Sequence, residues 1–258
     1  MLSKFVLAII IIISITHVAN STERTVTINE VSWPPYFFVD DHSKQLGIGK
    51  ELLNLCLKES GYKATYVRAP IANTYTYMES GKIDITVFSY KASRDKILYA
   101  KEPIFTSEYG FLVRADSDIN IKKLSDVIPY QLGHLDGLTY TPEYMKIIEK
   151  KDKLDEVSTG YSLDSLFLQL LSPVPRFDIM ADSKATFHWF ADYTGVSKQV
   201  KVLDYTLKNK DYFITVSKRS KNIENPQALL ANTDSCLKQL KQDGNYNAIY
   251  AKYGQVLD

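Results

Sequence analysis

The sequence predicts an α/β fold with mostly parallel strands, and three observations carry that prediction. Short β-like apolar runs alternate with longer runs at helical spacing along the chain beyond residue 21. The helical runs carry end signals: Thr141 before Pro142, Ser162 before Leu163, and Gly61 after the stripe Leu52, Leu53, Cys56 and Leu57. No internal repeat, low-complexity tract or long linker interrupts the alternation. With 258 residues, 45% hydrophobic and 24% charged, the chain has room for two units of roughly 100–130 residues.

In chain order, "TVTINE" reads as a first strand, "GKELLNLCLKESGY" as a helix and "KATYVRA" as a second strand. A short helix over residues 73–80 precedes a third strand, "KIDITVFS", in which Ile83, Ile85 and Val87 alternate. "YQLGHLDG" is a strand running into a glycine turn, and "YTPEYMKIIEK" a helix capped by Thr141. "TGYSLDSLFLQLL" is a helix with Ser162 as N-cap and Asp164 in its first turn, where the helix dipole favours an acid. It has no capping box, because Ser165 stands where Glu or Gln is needed. "RFDIMADS" is a strand, "KATFHWFADYTG" a helix and "YFITVSKRS" a late strand, and two amphipathic helices close the chain.

Composition excludes several classes. Residues 1–21 hold one lysine, an apolar run from Phe5 to Ile15 and then small residues, which predicts a cleaved secretory signal and hence export. Removing them leaves 30 basic against 30 acidic side chains, from 31 and 30, so nothing points to nucleic acid. Scattered histidines with no clustered spacing give no expectation of a metal or cofactor. Cys56 and Cys236 allow either a disulfide or two buried thiols.

In open parallel sheets, ligands bind beyond the carboxyl ends of the strands. Here those ends carry Glu30 with Trp33, then Ser89 with Lys91 and Arg94, then Asp136, Gly137 and Thr139, and finally Asp182. A guanidinium takes a carboxylate bidentately, carboxylates take an ammonium, and an indole walls off water. The set suits a small zwitterion. Each residue also has a structural reading: Arg94 in a surface ion pair, Trp33 in core packing, Asp182 as a helix N-cap, Lys91 in solvent.

Several segments in order resemble the periplasmic solute-binding proteins of ABC importers, family 3, which bind polar amino acids. They are "VSWPPYFFVDD", "GKID", "SYKASR", "LDGLTY", "FDIMAD" and "LKQDGNYNAIYAKYG", spread from about residue 25 to the C-terminus. The resemblance implies a two-lobed, type II periplasmic-binding-protein-like fold whose hinge is two crossing strands, "YGFLVRAD" and "YFITVSK". Lobe one is then 22–106 plus 209–258, and lobe two 107–208. It places Arg94 on the ligand α-carboxylate, helped by Ser89 and the backbone near Thr139. Asp182 falls on the α-ammonium, and Glu30 and Trp33 on the ligand side chain. Glu30 tilts that side chain towards an amide or a cation.

The sequence departs from the pattern in four places. Asp178 to Asp182 is one residue short, Lys91 replaces a frequent threonine, Leu135 a polar residue and Ile71 a frequent aromatic. The expectation is a monomeric periplasmic binder, not an enzyme, that hands a small polar amino acid or similar carboxylate to an ABC permease in the inner membrane. An enzyme on the same scaffold (dehydratase-like) and a ligand-sensing module for a receptor are the rivals.

Overall fold

The computed structural model of the chain describes residues 24–38, 45–70 and 73–255. The expected signal segment 1–21 and Ile71 lie outside the described residues. The elements run β1 (Arg24–Glu30), α1 (Ile48–Glu59), β2 (Tyr62–Arg68), α2 (Thr74–Ser80), β3 (Ile85–Ser89) and β4 (Ile97–Arg114). After these come β5 (Leu132–Leu135), α3 (Pro142–Asp152), β6 (Val157–Gly160), α4 (Leu163–Leu170), β7 (Ile179–Ser183) and α5 (Lys184–Tyr193). The chain ends with β8 (Val200–Ser217), α6 (Pro226–Gln242) and α7 (Asn245–Lys252).

The strands form one hydrogen-bonded sequence, β2-β1-β3-β8-β4-β7-β5-β6. β1 is parallel to β2 and β3, and β5 is parallel to β6 and β7. β4 and β8 are antiparallel to each other and to their outer neighbours β7 and β3, so this long pair ties two parallel sheets into a two-lobed fold. Each lobe has its own core. Val26, Ile28, Leu52, Leu53, Ile214 and Leu237 pack in the first. In the second, the period of two along β4 sends Phe111 to one face of the sheet, against Tyr144, and Leu112 to the other, against Leu166 and Phe187.

The helix ends follow side-chain chemistry. Thr141 Oγ1 accepts the Tyr144 N–H at 3.3 Å and Ser162 Oγ the Ser165 N–H at 3.2 Å, both as expected. α2 stops at Gly81, whose φ of 76° is left-handed, and a Cβ there would stand 2.4 Å from the Arg219 carbonyl oxygen. α5 is capped by Ser183, whose Oγ faces the Thr186 N–H at 3.5 Å. Asp182 is therefore not the N-cap: it sits one residue earlier, inside β7.

Two further findings go beyond the sequence reading. β4 starts at Ile97 rather than near Tyr109, and β8 at Val200 rather than near Tyr212. Lys101, Glu102 and Pro103 in one strand, and Lys208, Asn209 and Lys210 in the other, break the apolar alternation. The ladder slips between Tyr99 and Pro103, where the Lys101 and Glu102 N–H groups turn to the Asp234 carboxylate. It runs unbroken where Lys208, Asn209 and Lys210 pair with Tyr109, Glu108 and Ser107. Cys56 on α1 and Cys236 on α6 are bridged, because both occupy buried positions on two helices that share the first core.

Candidate functional site

A cavity of about 320 Å³ opens between the lobes, in the size class of small-molecule sites. Strand ends from both lobes line it: Asn29 of β1 and Phe88 of β3 on one side, Leu135 of β5 and Asp182 of β7 on the other. Tyr109 of β4 and Tyr212 of β8 line it where the long strands cross, with their hydroxyls 2.9 Å apart. A hollow of about 420 Å³ beside Trp189, Tyr193 and Tyr253 is larger but holds no strand end and no buried charge.

Asp182 is 4% exposed, and its Oδ1 accepts the Ser183 N–H at 2.6 Å. Burial pushes its carboxyl up to about 7, against the opposing pull of that N–H and of Lys208. Lys208 is half-buried; burial first, then Lys210 and Lys91, lower it to about 8, while Asp182 works the other way. Its Nζ donates to the Thr139 carbonyl at 2.7 Å and lies 4.4 Å from the Tyr109 ring centroid.

The shift on Asp182 has a stability consequence. Between the ordinary carboxyl value of 3.8 and about 7, the folded chain holds a proton that the unfolded chain has lost. Stability is therefore lost as pH rises through that window, by about 1 kcal/mol per pH unit from this group while it stays protonated in the fold. Asp182→Asn should flatten that part of the profile in denaturant titrations, with no fall in stability at pH 8. An unchanged slope in the variant would show that Asp182 ionises normally.

Arg94 follows β3 and turns back on it. Its Nη1 donates to the Ser89 carbonyl at 2.9 Å, and its guanidinium carbon is 3.9 Å from the Phe88 ring centroid. Ser89 is itself buried, in register with Tyr212 of β8. Lys91 is exposed and donates its backbone N–H to the Tyr99 hydroxyl at 3.4 Å. Burial, then Lys91 and Arg94, lower Lys210, so these cations share one field at the edge of the cleft.

The family model for bacterial extracellular solute-binding proteins, family 3, matches residues 26–256. The chain belongs to this family. An arginine-binding periplasmic protein of Mannheimia haemolytica is 22% identical over 247 residues, covering 92% of this chain and 93% of the relative. An amino-acid-binding protein, AabA, of Dichelobacter nodosus is 24% identical over 227 residues, covering 85% and 83%. Among solved structures, an ancestral arginine-binding protein bound to arginine shares the fold, with a TM-score of 0.69 at 24% identity, covering 89% of this chain and 98% of that one.

In this family 3 solute-binding protein the sequence-predicted site residues fall into three groups. Trp33 and Asp182 line the cavity, Trp33 with its ring 4.8 Å from Tyr212. Ser89, Lys91, Arg94 and Thr139 are not lining residues: Ser89 and Thr139 directly follow the lining Phe88 and Leu138 in the chain, Arg94 lies over the Phe88 ring, and Lys91 is exposed beside Tyr99. Glu30 is engaged elsewhere: its carboxylate oxygens meet Lys50 Nζ at 2.9 Å and Arg68 Nε at 3.3 Å. Burial alone raises Glu30, but the two cations outweigh it and hold the carboxyl below its usual range.

Sequence reasoning missed Asn29, Lys208 and Lys210. Asn29 donates Nδ2 to Thr74 Oγ1 at 2.5 Å and leaves a buried Oδ1 without a partner among the described residues. A polar residue next to Glu30 at the end of an apolar strand was the available signal. The two lysines gave none, because "KNKD" reads as a solvated connection until β8 is seen to run through it.

Proposed function

We propose that the chain captures an amino acid in the cleft between its lobes, in the periplasm, for an ABC permease of the inner membrane. The observation that carries the reading is the shared cavity, where Asp182 of one lobe lies across from the β3 end of the other, with Arg94 behind Phe88. The ligand carboxylate takes the free guanidinium donors of Arg94, with Ser89 and the backbone near Thr139. The ammonium takes Asp182 and the unpaired Oδ1 of Asn29. Charge-assisted bonds at both ends are what a zwitterion offers.

A ligand held from two lobes favours the form in which both reach it, so binding drives closure. The hinge is the β4/β8 pair near residues 106/107 and 208/209, where pairing is interrupted between Tyr109 and Gly110. This role is binding without bond chemistry. The names of the two relatives, an arginine binder and an amino-acid binder, support the ligand class.

The test is isothermal titration of the twenty amino acids into the refolded mature chain, with small-angle scattering on the best binder. One amino acid should bind with a Kd in the micromolar range or below, and the radius of gyration should fall on saturation. No heat from any amino acid would remove the reading.

A further inference from the structure

We propose that the captured amino acid carries an uncharged aromatic side chain rather than a cationic one. This inference rests on the amino-acid reading of the cleft and narrows it. Three features of the cavity wall lead to it.

First, the wall is apolar: Val31, Val87, Leu135, Leu138 and Leu163 line it together with aromatic rings. Second, most of its polar groups already bond within the protein. Thr74 Oγ1 accepts from Asn29, and Thr186 Oγ1 donates to the Pro34 carbonyl at 2.9 Å. The Tyr109 and Tyr212 hydroxyls bond each other. A polar ligand side chain entering this wall would lose its water and gain few partners, a net cost. An aromatic ring gains by burial and by edge or stacked contact with Trp33, Phe88, Tyr109 or Tyr212.

Third, the charge is wrong for a second ligand cation. Asp182 is the only carboxylate lining the cavity among the described residues, and the ligand ammonium claims it. Glu30, the other acid predicted for the site, is paired with Lys50 and Arg68. Two of the lining rings already hold one of the protein's own cations over a face: Arg94 at 3.9 Å over Phe88 and Lys208 at 4.4 Å over Tyr109. Lys210 adds its charge from beyond Tyr212, at 5.9 Å. A ligand guanidinium or ε-ammonium would meet these cations with no acid to offset them.

The experiment is competitive titration of the refolded chain with L-phenylalanine, L-tyrosine, L-tryptophan, L-arginine, L-lysine, L-glutamine and L-glutamate. The best aromatic should bind at least tenfold more tightly than any of the last four. If one of those four binds as tightly or more so, the aromatic inference fails while amino-acid capture stands. If no amino acid binds, the functional reading itself fails and takes the inference with it. Leu138→Glu places an acid on the half-buried wall. With its unliganded melting temperature retained, it should weaken the aromatic ligand at least tenfold. A folded L138E chain that binds the aromatic like wild type would overturn the inference.

Discussion

Arg94→Ala is expected to weaken ligand binding about a hundredfold, equivalent to about 3 kcal/mol, while unliganded stability changes by less than about 1 kcal/mol. The asymmetry follows from what the side chain touches. Within the protein, Arg94 makes one side-chain hydrogen bond, to the Ser89 carbonyl, and covers the Phe88 ring. Both contacts are partly open to water, so their loss costs the fold little. Its remaining guanidinium donors, with no side-chain partner among the described residues, are the ones left for a ligand carboxylate. Removing them strands that carboxylate at the mouth of an apolar cavity, the costly way to break a charged pair. Arg94→Lys restores the charge but not the fork, and should recover only part of the affinity. Titration and thermal melts on the same preparations separate the two effects. An Arg94→Ala chain that binds within threefold of wild type would show that the anchor lies elsewhere, with Lys210 and Lys208 the next groups to replace.

Loss of the Cys56–Cys236 bridge should lower stability by about 2–5 kcal/mol. The sequence separation of 180 residues makes the closed loop a long one, and in the chain-entropy account long loops restrict the unfolded chain most. For a protein of this size that corresponds to a fall of roughly 5–15 °C in melting temperature. The double variant Cys56→Ala/Cys236→Ala isolates the effect, because both side chains are buried and alanine adds no polar group there. Calorimetry of the variant, and of wild type under reductant, should agree. Ligand affinity should hold, since α1 and α6 share the first core and the bridge does not cross the cleft. A melting temperature within about 2 °C of wild type would show that packing between the two helices does without the bond.

The acid at Asp182 and the cations near it are shifted in opposite directions by the same burial. Burial raises Asp182 and lowers Lys208 and Lys210, so the charged form of each group is less favoured here than in water. In the proposed binding mode, a zwitterion supplying an ammonium to the first and a carboxylate to the second set would relieve both. Perturbed groups gathered in a cleft mark functional sites for this reason.

The local chemistry of the chain determined its elements without help from the fold. Periodicity placed α1, β3 and β7, and hydroxyl caps placed the starts of α3 and α4, because each depends on residues within one or two turns. The alternation of strands and helices was enough for the α/β class, the family resemblance carried by the ordered motifs implied the two lobes, and polar residues at strand ends pointed to Trp33, Arg94 and Asp182 as candidates. Only the tertiary structure decided the rest. It carried β4 and β8 through charged residues, because pairing between two backbones does not need apolar side chains. It bridged two cysteines that sequence could not bring together. It turned Glu30 onto Lys50 and Arg68 from α1 and β2, partners distant in the sequence. Charge pairing and cavity lining are set by which segments meet, so whether an acid faces a ligand or a lysine is written only in the folded chain.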